Sequence, residues 1–590
     1  MQKTLVILLL NCCLIQPAAA QTNNQPASQP DQAVVEWIRA HAVRLKTAEA
    51  GHGFADMKPL KKIIGNARIV SLGEATHGTR EFFQLKHRML EFLASEMGFT
   101  IFSIEANMPE AYRLNDYVLN GNGDPAKLLK GMYFWTWDTQ EVLDMIKWMR
   151  EFNKSGKGRV QFTGFDMQTP DVAMGTVNDF VGKHDTAFIE DMRKASTQAK
   201  TARKTQGPPF GLATASFPVE VAAGKRIHYS GYIKTEGITR AWAGLWLRVD
   251  GKSGVLAFDN MRDRGATGTT DWKRYEIDLQ VPAEAKNINF GVLHSGDGNA
   301  WFDGLNVTVD GEPYSEKTKF DLDFESASPV GFYTGGTGYQ VEIDSEVFHA
   351  GKQSLRMQYA GLPSGGSDLI DPKTAIATWQ AVVRHLEESR SSYAKQGVAD
   401  RELDWAIQNA RVVVQSLQMR TNEVTRDQSM ADNVKWILDH NPGAKIVLWA
   451  HNGHVAASEI IGSKPMGASL REMFPNQMVV FGFAFNQGSF QAVEREKSLR
   501  DFTVASAPAG SLDATLAATG IPLFAIDLRK APKKSAVETW LSQPHKSRNI
   551  GSMYAGDMDN VFLVGVPALK SFDVLLFVER TTAARKNAPN

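Results

Sequence analysis

The chain has 590 residues, 43% hydrophobic and 22% charged, the composition of a globular protein with a large core and not of a disordered or fibrous one. Its 65 basic and 65 acidic side chains leave no surplus of positive charge to neutralise phosphates, which excludes nucleic acid as the expected partner. Its two cysteines, Cys12 and Cys13, are adjacent, so neither a disulfide framework nor a zinc–thiolate site is expected.

At roughly 150 residues per domain, more than one folding unit is expected. Lys3, the apolar run Leu5 to Ile15 and the small residues Ala18-Ala19-Ala20 read as a secretory signal over 1–20, too short to span a bilayer. The expected product is periplasmic or secreted, with no membrane attachment after cleavage. Residues 21–31 are polar and Pro-containing, a flexible lead-in to a helix over Gln32 to Thr47.

Between Ala67 and Asp166 short apolar runs alternate with helical periodicity, which predicts a parallel sheet wrapped by helices. Ile69 to Leu72 is the first strand. A helix follows over Thr79 to Met97, with Phe82, Leu85, Met89, Phe92 and Leu93 on one face and Gly98 as its stop. Thr100 to Ile104 and Val160 to Phe165 are further strands, with a helix around Gln140 to Phe152 between them. Lys445 to Ala450 and Met478 to Phe485 add two more.

From about Gly207 to Gly361 helical periodicity gives way to alternating strands and Gly, Asp and Asn turns. Tyr275, Ile277, Leu279 and Val281 alternate with Arg274, Glu276, Asp278 and Gln280, one face buried and one wet. Helical texture resumes at Pro372 and runs through Thr374 to Lys395 and Arg401 to Met419. The expected architecture is therefore an α/β domain in two parts, 32–206 and 362–590, interrupted by an all-β insertion at 207–361.

Ligands of open parallel sheets bind beyond the carboxyl ends of the strands. Titratable residues recur there: Glu74 and His77 after the first strand, Glu105 after the second, Asp166 after the third, and His451 and His454 after Lys445 to Ala450. His77 stands at the entrance to a helix, whose N-terminal partial charge disfavours imidazolium, so it is a candidate general base. Glu74 or Glu105 could fix its tautomer, and His451 and His454 could donate to a developing oxyanion. Lys86 and Arg88, further along the same helix, are candidate fixed charges for substrate. No G-x-S-x-G elbow, H-E-x-x-H or P-loop occurs, and no cysteine lies beyond Cys13, which points to direct activation of water without a covalent intermediate. No cofactor is required by that chemistry. The alternative is a divalent metal, Zn or Mn, on Glu74, His77, Glu105, Asp166 and His451.

GEATHGTREFFQLKHRMLEFL (Gly73 to Leu93), IEAN (Ile104 to Asn107), GFDMQ (Gly164 to Gln168), RDQSMADNVKWIL (Arg426 to Leu438) and WAHNGHVA (Trp449 to Ala456), with the ending FDVLLFVERTTAAR (Phe572 to Arg585), resemble the erythromycin esterase family. The resemblance implies hydrolysis of a carboxylic ester or lactone, a macrolide among the candidates, with the base at His77, Glu74 beside it, a second essential histidine at His451, and Glu105 and His454 lining the cleft. Antibiotic resistance is a property of characterised members. They are cytoplasmic, whereas this chain carries an export signature.

The insertion resembles jelly-roll, galactose-binding-like modules in SGYIKTEG (Ser230 to Gly237), GTTDWKRYEIDLQVP (Gly268 to Pro282) and NAWFDGLNV (Asn299 to Val307). Leu322 to Met357 looks like the opening strands of such a module placed after the closing ones, a circular permutation. Trp242, Trp246 and Trp301 are sugar-binding candidates against the alternative that they pack the sandwich. A non-catalytic glycan-binding protein is the reading from a different functional class.

Overall fold

The structure is a computed structural model that describes residues 31–204, 210–251, 254–314, 319–336, 338–361, 370–459, 464–494, 498–554 and 563–587. The expected signal peptide, both cysteines and the lead-in as far as Pro30 lie outside these residues. The chain forms two compact units, one of residues up to His184 joined by those from Arg390 onward, the other Asp185–Ser389. The expected boundaries near 206 and 361 fall in or beside stretches outside the described residues.

The first unit is built on a nine-stranded sheet. Its order is Val43–Arg44, Leu523–Asp527, Val574–Thr581, Met478–Val493, Ile69–Leu72, Ile446–Trp449, Ile101–Asn107, Gln161–Asp166, with Leu499–Val504 paired on Met478–Val493. From Val574–Thr581 to Gln161–Asp166 neighbouring strands are parallel. Ile69–Leu72, Ile101–Asn107 and Ile446–Trp449 are buried at every residue, which is why apolar side chains predominate in them without the strict alternation of a half-exposed strand. The helix Arg80–Met97 ends on Gly98, whose φ of 71° is the left-handed stop that a glycine adopts freely.

Three expectations need correction. The first helix stops at His41, not Thr47, because Val43–Arg44 leaves it to pair with Leu523–Asp527, a long-range pairing that local periodicity does not register. The helix expected over Thr374 to Lys395 divides at Ser389 into Pro372–Glu388 and Arg390–Lys395. Glu105 lies within its strand, not after it: Ile104 pairs with Gly164 but Asn107 with Asp166, a bulge that re-aims the strand between them.

The second unit holds helices Ile189–Lys204 and Pro372–Glu388, joined by the Trp379 indole N–H donating to the Ala195 carbonyl at 3.0 Å. Its antiparallel sheet centres on Arg226–Gly251, which pairs with Ala266–Gln280 and Asn299–Val309 along its first part and with Asn287–Ser295 along its last. Ile277, Leu279 and Val281 are buried while Arg274, Glu276, Asp278 and Gln280 are exposed, as the alternation predicts. Tyr339–Asp344 and Ser354–Tyr359 form a hairpin on the edge of Asn299–Val309. Trp242 donates its N–H to the Asn260 carbonyl and Trp301 donates to Asp344 at 2.8 Å, while Trp246 is half-buried. No helix among the described residues is long and apolar enough to cross a membrane.

His87 lies inside the helix Arg80–Met97, and burial pushes its pKa down to about 4. Its folded pKa is therefore below the roughly 6.5 of the unfolded chain, so stability is full above that value and falls as pH drops from about 6.5 to about 4, by on the order of 3 kcal/mol. Urea unfolding across this window should show His87→Gln losing less stability than the unsubstituted chain, and parallel profiles would contradict the assignment.

Candidate active site

Glu74 is fully buried in the turn between Ile69–Leu72 and the helix that begins at Arg80. Its Oε1 lies 2.7 Å from His77 Nδ1, while its Oε2 accepts the Trp449 indole N–H at 2.7 Å and is ion-paired with the equally buried Lys86. Burial opposes charge on Glu74, but the ammonium of Lys86 and the imidazole of His77 outweigh it and hold the carboxyl below its ordinary value. Burial brings Lys86 down to about 8, which leaves it cationic at neutral pH, 4.3 Å from the centroid of the Trp449 ring.

Because an ionised carboxylate only accepts, Nδ1 of His77 carries the proton of the Glu74 bond, which makes Nε2 the accepting nitrogen of the neutral ring. No hydrogen bond to that Nε2 is recorded among the described residues, and the side chain is 13% exposed. The turn is fixed by close approach of backbone at two glycines. A Cβ on Gly73 would lie 2.2 Å from Asn452 Oδ1, and one on Gly78 would lie 2.2 Å from the Gln491 carbonyl oxygen.

His451 follows Ile446–Trp449, and its ring centroid is 5.0 Å from that of His77. Its backbone N–H donates to Glu105 Oε2 at 2.9 Å. Its Nε2 faces the Ile550 carbonyl at 3.2 Å, and its Nδ1 accepts the Gly453 N–H at 3.3 Å. Burial, with His77 and His454 adding to it, depresses its pKa to about 3, so it is a neutral imidazole with both nitrogens engaged. Donation by His451 to an oxyanion would require release of Ile550.

A second cluster adjoins the first. Arg426 reaches Glu105 Oε1 at 2.7 Å, Asp166 at 2.8 and 3.1 Å, and His454 Nε2 at 3.1 Å, while His454 Nδ1 lies 2.8 Å from Asp427. Burial works against the charge of Glu105, but His454, Arg426 and His77 hold its carboxyl well below the carboxylate range. Burial likewise opposes charge on His454, yet Asp427 and Glu105 raise its pKa overall.

The structure thus brings Glu74, His77, Lys86, Glu105, Asp166, His451 and His454 to one edge of the sheet. Arg88 is the exception: it binds Asp56 at 2.6 Å and the carbonyls of Thr47 and Gly53, because the helix turns it away from Glu74. Arg426, Asp427 and Trp449 were not singled out from the sequence. Arg426 does offer a signal, since a cation in the first turn of a helix opposes the helix dipole and calls for fixed carboxylate partners. Among the described residues no group of three or more His, Cys, Asp or Glu is arranged to hold a metal ion.

The fold and this edge define a helix-wrapped parallel-sheet protein with a carboxylate–histidine pair at the strand ends. The sequence model of the erythromycin esterase family matches residues 94–221 and 349–581, more than half of the chain, and the chain belongs to that family. The two matched segments flank an interval that lies within the second unit, so the family domain is split by an insertion.

Among curated proteins, the chain is 34% identical over 135 residues to an erythromycin esterase type II of Escherichia coli, covering 22% of this chain and 31% of that protein. It is 41% identical over 111 residues to an uncharacterised HTH-type transcriptional regulator of Bacillus subtilis, 19% and 37% of the two chains, and 32% identical over 133 residues to a putative hydrolase of the same organism, 22% and 29%. The chain therefore matches about a third of the length of these relatives. Similar solved structures include a Bacillus cereus protein (TM-score 0.59, 20% identity, 94% of this chain and 99% of that one) and a succinoglycan biosynthesis protein (0.56, 19%, 94% and 98%). A mutant erythromycin esterase in its open conformation is also similar (0.50, 12%, 91% and 96%). At these identities the likeness is one of fold.

Replacing Lys86 by Met would leave Glu74 buried without its countercharge, at a cost of about 3–5 kcal/mol. Chemical denaturation should show that loss, and Glu74→Gln combined with Lys86→Met should recover most of it. An additive loss in the double variant would contradict a paired role.

Proposed function

We propose that this protein is an exported hydrolase of a carboxylic ester or lactone in which His77 is the general base. The observation that carries the reading is the division of Glu74 between two partners: one oxygen orients His77, the other is neutralised by Lys86 and Trp449. Glu74 therefore stays anionic without sharing the proton of Nδ1, and the lone pair of Nε2 is available to water.

Water bound at Nε2 gives up a proton to the imidazole as its oxygen attacks the carbonyl carbon. The imidazolium is stabilised through Nδ1–H by Glu74. When the tetrahedral adduct collapses, the proton on Nε2 passes to the departing alkoxide, which leaves an acid, an alcohol and a neutral His77. Membership of the erythromycin esterase family and the putative hydrolase among the relatives support hydrolysis as the reaction type. The chemistry draws on side chains alone. A macrolactone, an aryl ester and an acylated sugar are the substrates to compare, and the β insertion, read as a galactose-binding-like jelly roll, is the proposed carbohydrate contact.

The test is turnover of that panel by protein lacking residues 1–20, with and without chelator. His77→Asn should lower kcat/KM by about 10³-fold, within the range of a general base, with the thermal midpoint held within a few degrees. Loss of activity restored only by one added divalent metal would support the metal-dependent alternative instead. A collapse of the thermal midpoint in His77→Asn would mark a structural histidine.

A further inference from the structure

A strand with one side on a core presents its other side to water, and that outer side is expected to be polar. The first part of Arg226–Gly251 follows the rule. His228 and Lys234 face outward there, with Glu276 and Asp278 on one neighbouring strand and Arg356 and Glu342 further along the sheet. The last part does not. On it and on Gly254–Asp259, Asn287–Ser295, Phe210–Phe217 and Tyr333–Gly335, the outward positions carry Phe258, Trp246, Leu293, Leu212, Phe210 and Tyr333. Ala213, Ala215, Leu245, Leu247, Phe290 and Val292 fill the core from the same strands, and none of the six outward residues belongs to it. Tyr333, Phe210 and Phe258 are 71%, 48% and 40% exposed, and the other three are half-buried. An apolar patch left on the outside in this way marks a binding surface.

The register shapes the patch as a shallow trough. Trp246 lies opposite Gly291, Gly291 opposite Thr214, and Thr214 opposite Tyr333 on the edge strand. The two aromatic residues therefore stand three strand spacings apart, about 14 Å, with only a glycine and a threonine between them. In the next row Leu293 faces Leu212 and Leu212 faces Gly335; a Cβ on Gly335 would lie 3.2 Å from the Tyr333 ring, which covers it. The opposite flank carries Phe258, Arg248, Asn289 and Ser216. Among the described residues, the charges at these outward positions are Arg248 and Asp250, which bind each other at 2.9 and 3.0 Å. Ser216 donates to Asn289 Oδ1 at 3.0 Å, so the rim is neutral and hydrogen-bonding. The other two indoles considered above lie elsewhere: Trp242 crowds Gly265, and Trp301 is 6% exposed on the polar side.

We infer that this face binds a neutral polysaccharide, its chain laid across the strands from Trp246 to Tyr333 over Gly291 and Thr214. The inference deepens the carbohydrate reading of the β insertion above and depends on neither the base nor the reaction. A pyranose ring has a face of C–H bonds that packs on the negative face of an aromatic ring, while its hydroxyls meet the polar rim. With its charges already paired, the face offers no free cation to an anionic chain. A second protein copy is disfavoured by size. Five strands at about 4.8 Å and rows about 7 Å apart give a patch of about 300 Å², against roughly 800 Å² per partner in a stable protein interface.

The test is native electrophoresis of the full chain in gels holding hydroxyethyl cellulose or galactomannan, both neutral, or polygalacturonate, an acid. A neutral polymer should retard the protein and polygalacturonate should not. Trp246→Ala and Tyr333→Ala should each raise the apparent Kd about tenfold, as the loss of one aromatic contact predicts, and Tyr333→Phe should restore it. Lys234→Ala, on the polar side, should change nothing. Because Tyr333 is exposed, the thermal midpoint of Tyr333→Ala should stay within a few degrees of the unsubstituted value. Equal retardation of the unsubstituted chain, Trp246→Ala and Tyr333→Ala would overturn the face and leave the carbohydrate reading standing. Retardation by none of the polymers would overturn both, and retardation by polygalacturonate alone would overturn the neutral assignment. A dimer in sedimentation that Tyr333→Ala dissociates would give the face to a second copy and overturn the inference.

Discussion

A carboxylate removed from water must be compensated by charge and hydrogen bonds on every side, and Glu74 is such a group. Its surroundings meet that demand with an ammonium, an indole N–H and an imidazole, drawn from the helix Arg80–Met97, the strand Ile446–Trp449 and its own turn. The requirement is reciprocal. Lys86 is buried beneath Trp449 and Phe483 and could not stay charged there without Glu74. Asn452 donates its backbone N–H to the Glu74 carbonyl, and its side-chain amide bonds both backbone groups of Phe483, which ties the turn to the neighbouring strand. What the site can do chemically follows from which oxygen of Glu74 faces which partner.

The parallel sheet is what makes such convergence possible. Glu74 and Trp449 are 375 positions apart in sequence, yet their strands are adjacent in the sheet and end in register, Leu72 beside Trp449. The same geometry brings Arg426 to Asp166 and Glu105 across separations of 260 and 321. The two clusters meet at His451, whose backbone N–H donates to Glu105 while its ring lies tilted beside that of His77, centroids 5.0 Å apart. The family domain therefore holds this edge together with an insertion lying between the contributing segments of chain.

Much of this was legible in the sequence, for identifiable reasons. Strands buried on both faces appear as apolar runs, helices as three- and four-residue periodicity, and the residue after each strand marks the ligand edge, which is how Glu74, His77, Asp166, His451 and His454 were found. Partnership was less legible. Lys86 and Arg88 are two positions apart on one helix and looked equivalent, but the helix sends one to Glu74 and the other to Asp56. Arg426 lies inside the motif RDQSMADNVKWIL, but its role exists only where two remote acids and His454 surround it. The short edge strand Val43–Arg44 and the bulge at Glu105 are likewise products of pairing with distant chain.

The central claim is that Glu74, held as an anion by Lys86, fixes the tautomer of His77. Nitrogen-15 chemical shifts of the His77 ring, recorded at neutral pH, where Lys86 is cationic, on protein labelled at histidine, read this directly. The account requires Nδ1 to be the protonated nitrogen and Nε2 the bare one, with the pattern lost in Glu74→Gln. A His77 protonated at Nε2, or a tautomer mixture indifferent to Glu74, would contradict it.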